Sequence, residues 1–213
     1  MTRRSQLNSL LILGIYCLTM TLASLLANIF NNGDIYYPLL TVLNTLGCVA
    51  MFFVTYKYPS KDRFMLKRKP TNWFSVTLYI VLGAVCLLLV QWICMYLEIY
   101  LLRQASYSAN TSYLLAVFNK YPYYILNICL FAPIMEEFVF RKVLFAESTA
   151  MISPVGAAII SSLLFSLAHQ DGHFLTYACI GLTLCALYAK TGRLETTIGA
   201  HILMNIAVVL MAL

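Results

Sequence analysis

Charge is what this sequence has least of. Only 10% of its 213 residues are Asp, Glu, Lys or Arg, against about a quarter in soluble domains, while 62% are hydrophobic. That balance excludes a soluble globular protein and implies an integral membrane one. Acids are scarcer than bases, eight against fourteen, for a net charge of +6. Nine glycines and six prolines are too few and scattered for a low-complexity linker. The chain has no internal repeat and no stretch of soluble-domain composition. It has no His-Glu-x-x-His, the helical zinc-protease signature, and no nucleophile elbow around a serine. Seven cysteines (Cys17, Cys48, Cys86, Cys94, Cys129, Cys179, Cys185) all lie in apolar runs and form no Cys-x-x-Cys pair. Neither a disulfide framework nor a cysteine nucleophile is expected.

Apolar helix fills the space these absences leave. Runs over 7–30, 36–56, 74–102, 121–145, 152–169, 174–189 and 194–213 predict an all-α, polytopic transmembrane helix bundle of about seven spans. Residues 1–213 read as a single integral membrane domain. The first run, about 24 residues, exceeds the 7–15 apolar residues of a signal peptide, so a retained span is expected. A short interfacial helix is expected at 113–118. The cations Lys57, Lys61, Arg63, Lys67, Arg68 and Lys69 crowd one loop, opposed only by Asp62. With the N-terminus inside, twelve cations fall on inner segments and two, Arg103 and Lys120, on outer ones. The positive-inside rule therefore predicts a multi-pass protein of the cell membrane with a cytoplasmic N-terminus. Anionic lipid is the expected partner of the basic loop, and no nucleic acid is.

Acids inside such spans are costly enough to suggest function. Glu136 and Glu137 are adjacent in an apolar segment, followed by Arg141 and Lys142. Glu137 and Arg141 stand at i, i+4 in the order that favours an ion pair. Glu136, about 100° round the helix, is left for chemistry. Phe165 and His169 share a face of a later helix, as do His201 and Asn205 of the last one. Each imidazole alone reads equally as a packing hydrogen bond. Together with Glu136 they make a base, an imidazole to orient water, and donors for an oxyanion, all in a pocket inside the bundle. Two imidazoles and a carboxylate also make a zinc site at Glu136, His169 and His201 geometrically possible, although the expectation is no metal and no other cofactor. Ser161, Ser162 and Ser166 read as helix-interface hydroxyls. Glu98 reads as an acid near the headgroups, His173 as part of an outer turn, and Lys142 as a cation that snorkels outward.

Glu-Glu-x-x-x-Arg at 136–141, Phe-x-x-x-His at 165–169 and His-x-x-x-Asn at 201–205 resemble the motif set of the CAAX-protease and bacteriocin-processing (Abi) family. The resemblance covers about 120–213. It implies an intramembrane endopeptidase of glutamate type acting on a peptide or protein tail. It also implies that Glu136 and His169 activate water while His201 and Asn205 form the oxyanion hole. Family members are often described as metalloproteases, and the resemblance does not decide between the two chemistries. It names neither substrate nor host. A non-catalytic role, as a membrane immunity or regulatory protein, is the alternative. One expectation conflicts with the others. If Arg141 and Arg193 mark the inner face, Glu136 and His201 lie about 8–12 Å below it, whereas His169, about 17 residues along its helix, would emerge near the outer face.

Overall fold

Within a bilayer no water is available to satisfy peptide groups, so a spanning chain bonds its backbone along itself. The computed structural model, which describes residues 3–30, 32–66, 72–101, 103, 109–170 and 172–212, contains helices and no strand among them. Lys67, Arg68, Lys69 and Pro70 of the basic loop, and Ser106, Ser108 and Asp171, lie outside the described residues.

The elements are α1 (Arg3–Ile29), α2 (Gly33–Lys57), the short α3 (Arg63–Leu66), α4 (Trp73–Leu101) and α5 (Ala109–Lys120). A composite segment comes next: a 3₁₀ turn at Pro122–Tyr124, a π-helical stretch at Asn127–Phe131, α6 (Ala132–Glu136), a longer π-helical stretch at Glu137–Ala146, and a 3₁₀ turn at Glu147–Ala150. The chain ends with α7 (Pro154–His169), α8 (Phe174–Thr191) and α9 (Leu194–Ala212). Helices α1, α2, α4, α8 and α9 are long and apolar enough to cross a membrane. Helix α7, at 16 residues, reaches only about 24 Å.

Local chemistry sets the boundaries. Asn32 accepts the Asp34 N–H at the start of α2, and Ser153 accepts the Gly156 N–H at the start of α7, ahead of Pro154. Helices α7 and α8 stop at the left-handed residues Gln170 (φ 51°) and Gly192 (φ 59°). The core contains Ile12, Met51, Leu87, Met135, Phe138, Phe165 and Leu184, while Leu18, Val49, Leu89 and Ile160 face outward.

Cross-contacts sort the connections to two ends of the bundle. At one end Ser5 Oγ donates to Glu147. Lys142 Nζ donates to Ser60 Oγ at 2.7 Å and lies 3.7 Å from Glu147. Asp62 caps α3 and accepts the Tyr188 hydroxyl at 2.7 Å. At the other end Tyr121 donates to Asp34 at 2.7 Å, and Tyr37 bonds Tyr113 at 3.0 Å.

The packing corrects several expectations. Lys142 does not snorkel: it is 3% exposed and held in this network. Glu98 is not a headgroup acid but is 1% exposed, and His173, although it does precede α8 in a turn, is buried. Arg141 does not mark a membrane face, being fully buried with helical chain continuing past it to Ala150. That removes the conflict over depth. Helix α7 runs back along the composite segment with Ser161 Oγ bonded to Phe140 O at 2.6 Å and the Phe140 and Phe165 rings 5.2 Å apart. One turn beyond Phe165, His169 lines the same cavity as Glu136.

Candidate active site

The site begins with a proline. Pro133 has no N–H, so the preceding turn cannot close normally. In the widened turn the Ala132 N–H reaches back five residues to Asn127 O. The Ile128 carbonyl would look to residue 133 for the same bond and finds proline there. Asn205 Nδ2, from α9, donates to Ile128 O at 3.0 Å instead. A carboxamide nitrogen carries two hydrogens, so one remains for another acceptor. Such widened turns recur at functional sites.

Three and four residues after Pro133 the chain presents its two acids. Glu137 is fully buried. Its Oε1 accepts from His201 Nδ1 at 3.0 Å, and its Oε2 lies 3.4 Å from Arg141 Nε. The second contact is ionic rather than hydrogen-bonded, since neither atom has a well-aligned partner. Arg141 is instead seated over the Phe165 ring, 4.4 Å from guanidinium carbon to centroid, a cation–π contact strengthened by dehydration. Glu136 keeps 19% of its side chain exposed, and its Oε2 lies 3.8 Å from His201 Nε2.

His169 Nδ1 lies 2.8 Å from Phe165 O. A carbonyl only accepts, so Nδ1 carries the proton and, in the neutral ring, Nε2 holds the lone pair. The ring packs on Tyr177, with centroids 3.9 Å apart and planes 24° apart. Phe165 ties the arrangement together, its ring lying 4.5 Å from that of His169 and 6.0 Å from that of His201. Glu136, Phe165, His169, His201 and Asn205 all line one cavity of about 700 Å³. The cavity extends past Tyr124, Leu114, His173 and Met211, toward the end of the bundle opposite Glu147 and Lys142. Ser161 and Ser166 bond backbone carbonyls, and Ser162 contacts Cys185 Sγ.

Sequence reasoning missed three polar contributions. Asn44 Nδ2 donates to Asn127 Oδ1 at 2.9 Å, and both residues line the cavity. Tyr16, from α1, closes it near Phe140. His173, with Glu98 3.0 Å from its Nδ1, forms another wall. An acid inside the apolar run of α4 and a second histidine four residues after His169 were the available signals.

The Nδ1 bonds of His169 and His201 are of the kind that also orient metal-ligating imidazoles. Among the described residues, however, no three His, Cys, Asp or Glu side chains converge as ligands.

Residues 118–207 match the family model described as Rce1-like, type II CAAX prenyl endopeptidase Rce1-like. The chain is 31% identical over 174 residues to a Bacillus subtilis (strain 168) protein named "Putative membrane peptidase YdiL", spanning 81% of this chain and 71% of that one. It is 27% identical over 179 residues to "Membrane-embedded CAAX protease MroQ" of Staphylococcus aureus (strain USA300), spanning 81% and 72%. No solved structure matches it.

Proposed function

The chain belongs to the Rce1-like family of type II CAAX prenyl endopeptidases, and from that membership we propose that it hydrolyses a peptide bond inside the bundle through water activated by Glu136 and His169. Its coarse class is a membrane peptidase with a peptide or protein substrate. The observation that carries the finer reading is the meeting of a partly exposed carboxylate with two imidazoles, each bonded through its Nδ1, in one cavity.

Water sits between Glu136 and His169, one hydrogen toward the carboxylate and the other toward His169 Nε2. As its oxygen attacks the carbonyl carbon, Glu136 takes a proton and the carbonyl electron pair moves onto oxygen. His201 Nε2–H and the spare Asn205 N–H receive that oxyanion. His201 must then carry both ring protons. Collapse of the tetrahedral species breaks the C–N bond, and Glu136 returns the proton to the leaving amine.

Glu136→Gln is expected to lower turnover of a cleavable quenched peptide at least about 100-fold, with the variant inserted and its thermal transition in detergent unchanged. Undiminished cleavage by that variant would overturn the mechanism. Purified protein is also expected to contain no stoichiometric transition metal and to keep its activity in phenanthroline. One zinc per chain, lost together with activity in His169→Ala, would replace this chemistry with that of a metal-bound water.

A further inference from the structure

Glu98 is buried at 1% exposure near the end of α4 and has no part in the chemistry above. A carboxylate in such a position is costly unless fully partnered. It is more than partnered. Oε1 accepts the Leu175 N–H at 2.6 Å and the Thr176 N–H at 3.3 Å. Oε2 accepts the Thr176 hydroxyl at 2.7 Å and His173 Nδ1–H at 3.0 Å.

Capping a helix asks for less. One neutral oxygen from the preceding residue ordinarily satisfies the first turn, whereas here an acid from a different helix gathers four donors from residues 173–176. The residue just beyond that pinned turn gives the concentration of polar groups a purpose. It is Tyr177, and its ring stacks on His169 at 3.9 Å. From the α7 side, Ser166 Oγ donates to Phe174 O at 2.6 Å, closing the same turn. His169 is therefore held by its own helix through Nδ1 and by α8 through its ring face. The α8 half of that grip is anchored on Glu98.

We propose that Glu98 and His173 are positioning residues that, through the start of α8 and Tyr177, fix the ring orientation of His169. The proposal rests on the reading in which His169 orients the attacking water. The chain has three histidines, so ¹⁵N-histidine spectra of the detergent-solubilised protein can be assigned completely by single substitutions. Wild-type His169 is expected in the Nδ1-protonated tautomer. Glu98→Gln keeps the size and one acceptor but turns the other toward its partners as an NH₂. It is expected to move the His169 ring to averaged tautomers and to lower kcat about tenfold, with KM within twofold, on the quenched peptide that wild type cleaves fastest from a mixed library. Tyr177→Leu, which removes the stacked ring, should reproduce the defect. Should Glu98→Gln not fold, Thr176→Val removes one donor and should give the same changes at smaller amplitude. Unaltered His169 resonances in these variants, or a kcat loss that only tracks a lowered thermal transition, would reduce Glu98 to a helix cap and overturn the proposal. The spectra need no turnover, so this outcome is separable from a failure of Glu136→Gln to abolish cleavage.

Discussion

Two adjacent glutamates have different surroundings because of what lies one helix away. Glu137 is enclosed by His201 and Arg141, and Glu136 borders the cavity. Arg141 in turn is covered by the Phe165 face, so it cannot reach water to compensate if its partner is lost. Arg141→Leu is expected to cost about 3–5 kcal/mol, the range for stranding a buried charge. It should also lower peptide turnover, because Glu137 orients His201. Lys142→Met strands Glu147 beside Ser5 and should cost comparable stability while sparing turnover per folded molecule. Thermal transitions and kcat of both variants check this. Equal kcat losses at matched stability would show that Arg141 serves packing alone. The i, i+4 pairing of Glu137 with Arg141 was legible in the sequence. Burial of Lys142 was not, because its partner Ser60 comes from a distant segment.

At the scale of elements, close approach between α7 and α8 sets the distance from His169 to Tyr177. A Cβ on Gly181 would sit 2.8 Å from Ser162 Cβ and 2.9 Å from its Cα, so the helices must separate to admit one. Small residues at such contacts let backbones meet without a hydrophobic driving force. Gly181→Ala is expected to cost about 1–3 kcal/mol as an overpacked site and to weaken cleavage by opening the stack. Gly14→Ala is the control: nothing lies within 4 Å of its added Cβ, so stability should hold or rise. Equal thermal shifts for the two would overturn the packing argument. The composite segment shows the other limit of sequence reading. Pro133 predicts a broken turn, but that the freed Ile128 carbonyl goes to Asn205 depends on a helix more than 70 residues away.

For the whole molecule the two ends differ in chemistry. One gathers the N-terminus, the basic loop and the Asp62, Lys142, Glu147 and Tyr188 network. The other gathers aromatic hydroxyls, Asp34 and the turn before α8. Arg141 and Lys142 are buried; with those two set aside the sequence count is ten cations against two, and the expected bias keeps its sign. Alkaline phosphatase fused within 103–120 is expected to be active in a bacterial host, and fused within 58–72 inactive. The reverse pattern would invert the molecule. The cavity extends toward the less basic end.

Hydropathy and charge are local properties, and they sufficed for the helices, their approximate limits and the membrane class. The start of α7 moved by two residues where Ser153 caps it, while its end at His169 is where the sequence placed it. Glu136, His169, His201 and Asn205 stood out in the sequence because spans make polar side chains conspicuous, and they line one cavity. What only the tertiary structure decided was which polar groups meet. Ser5 finds Glu147, Glu98 finds His173 and His201 finds Glu137 across separations of 64 to 142 residues. No spacing in the sequence carries that information. It comes from how apolar faces pack, and the buried polar groups then take the nearest partners that packing leaves them, since in lipid an unpaired one has no water to turn to.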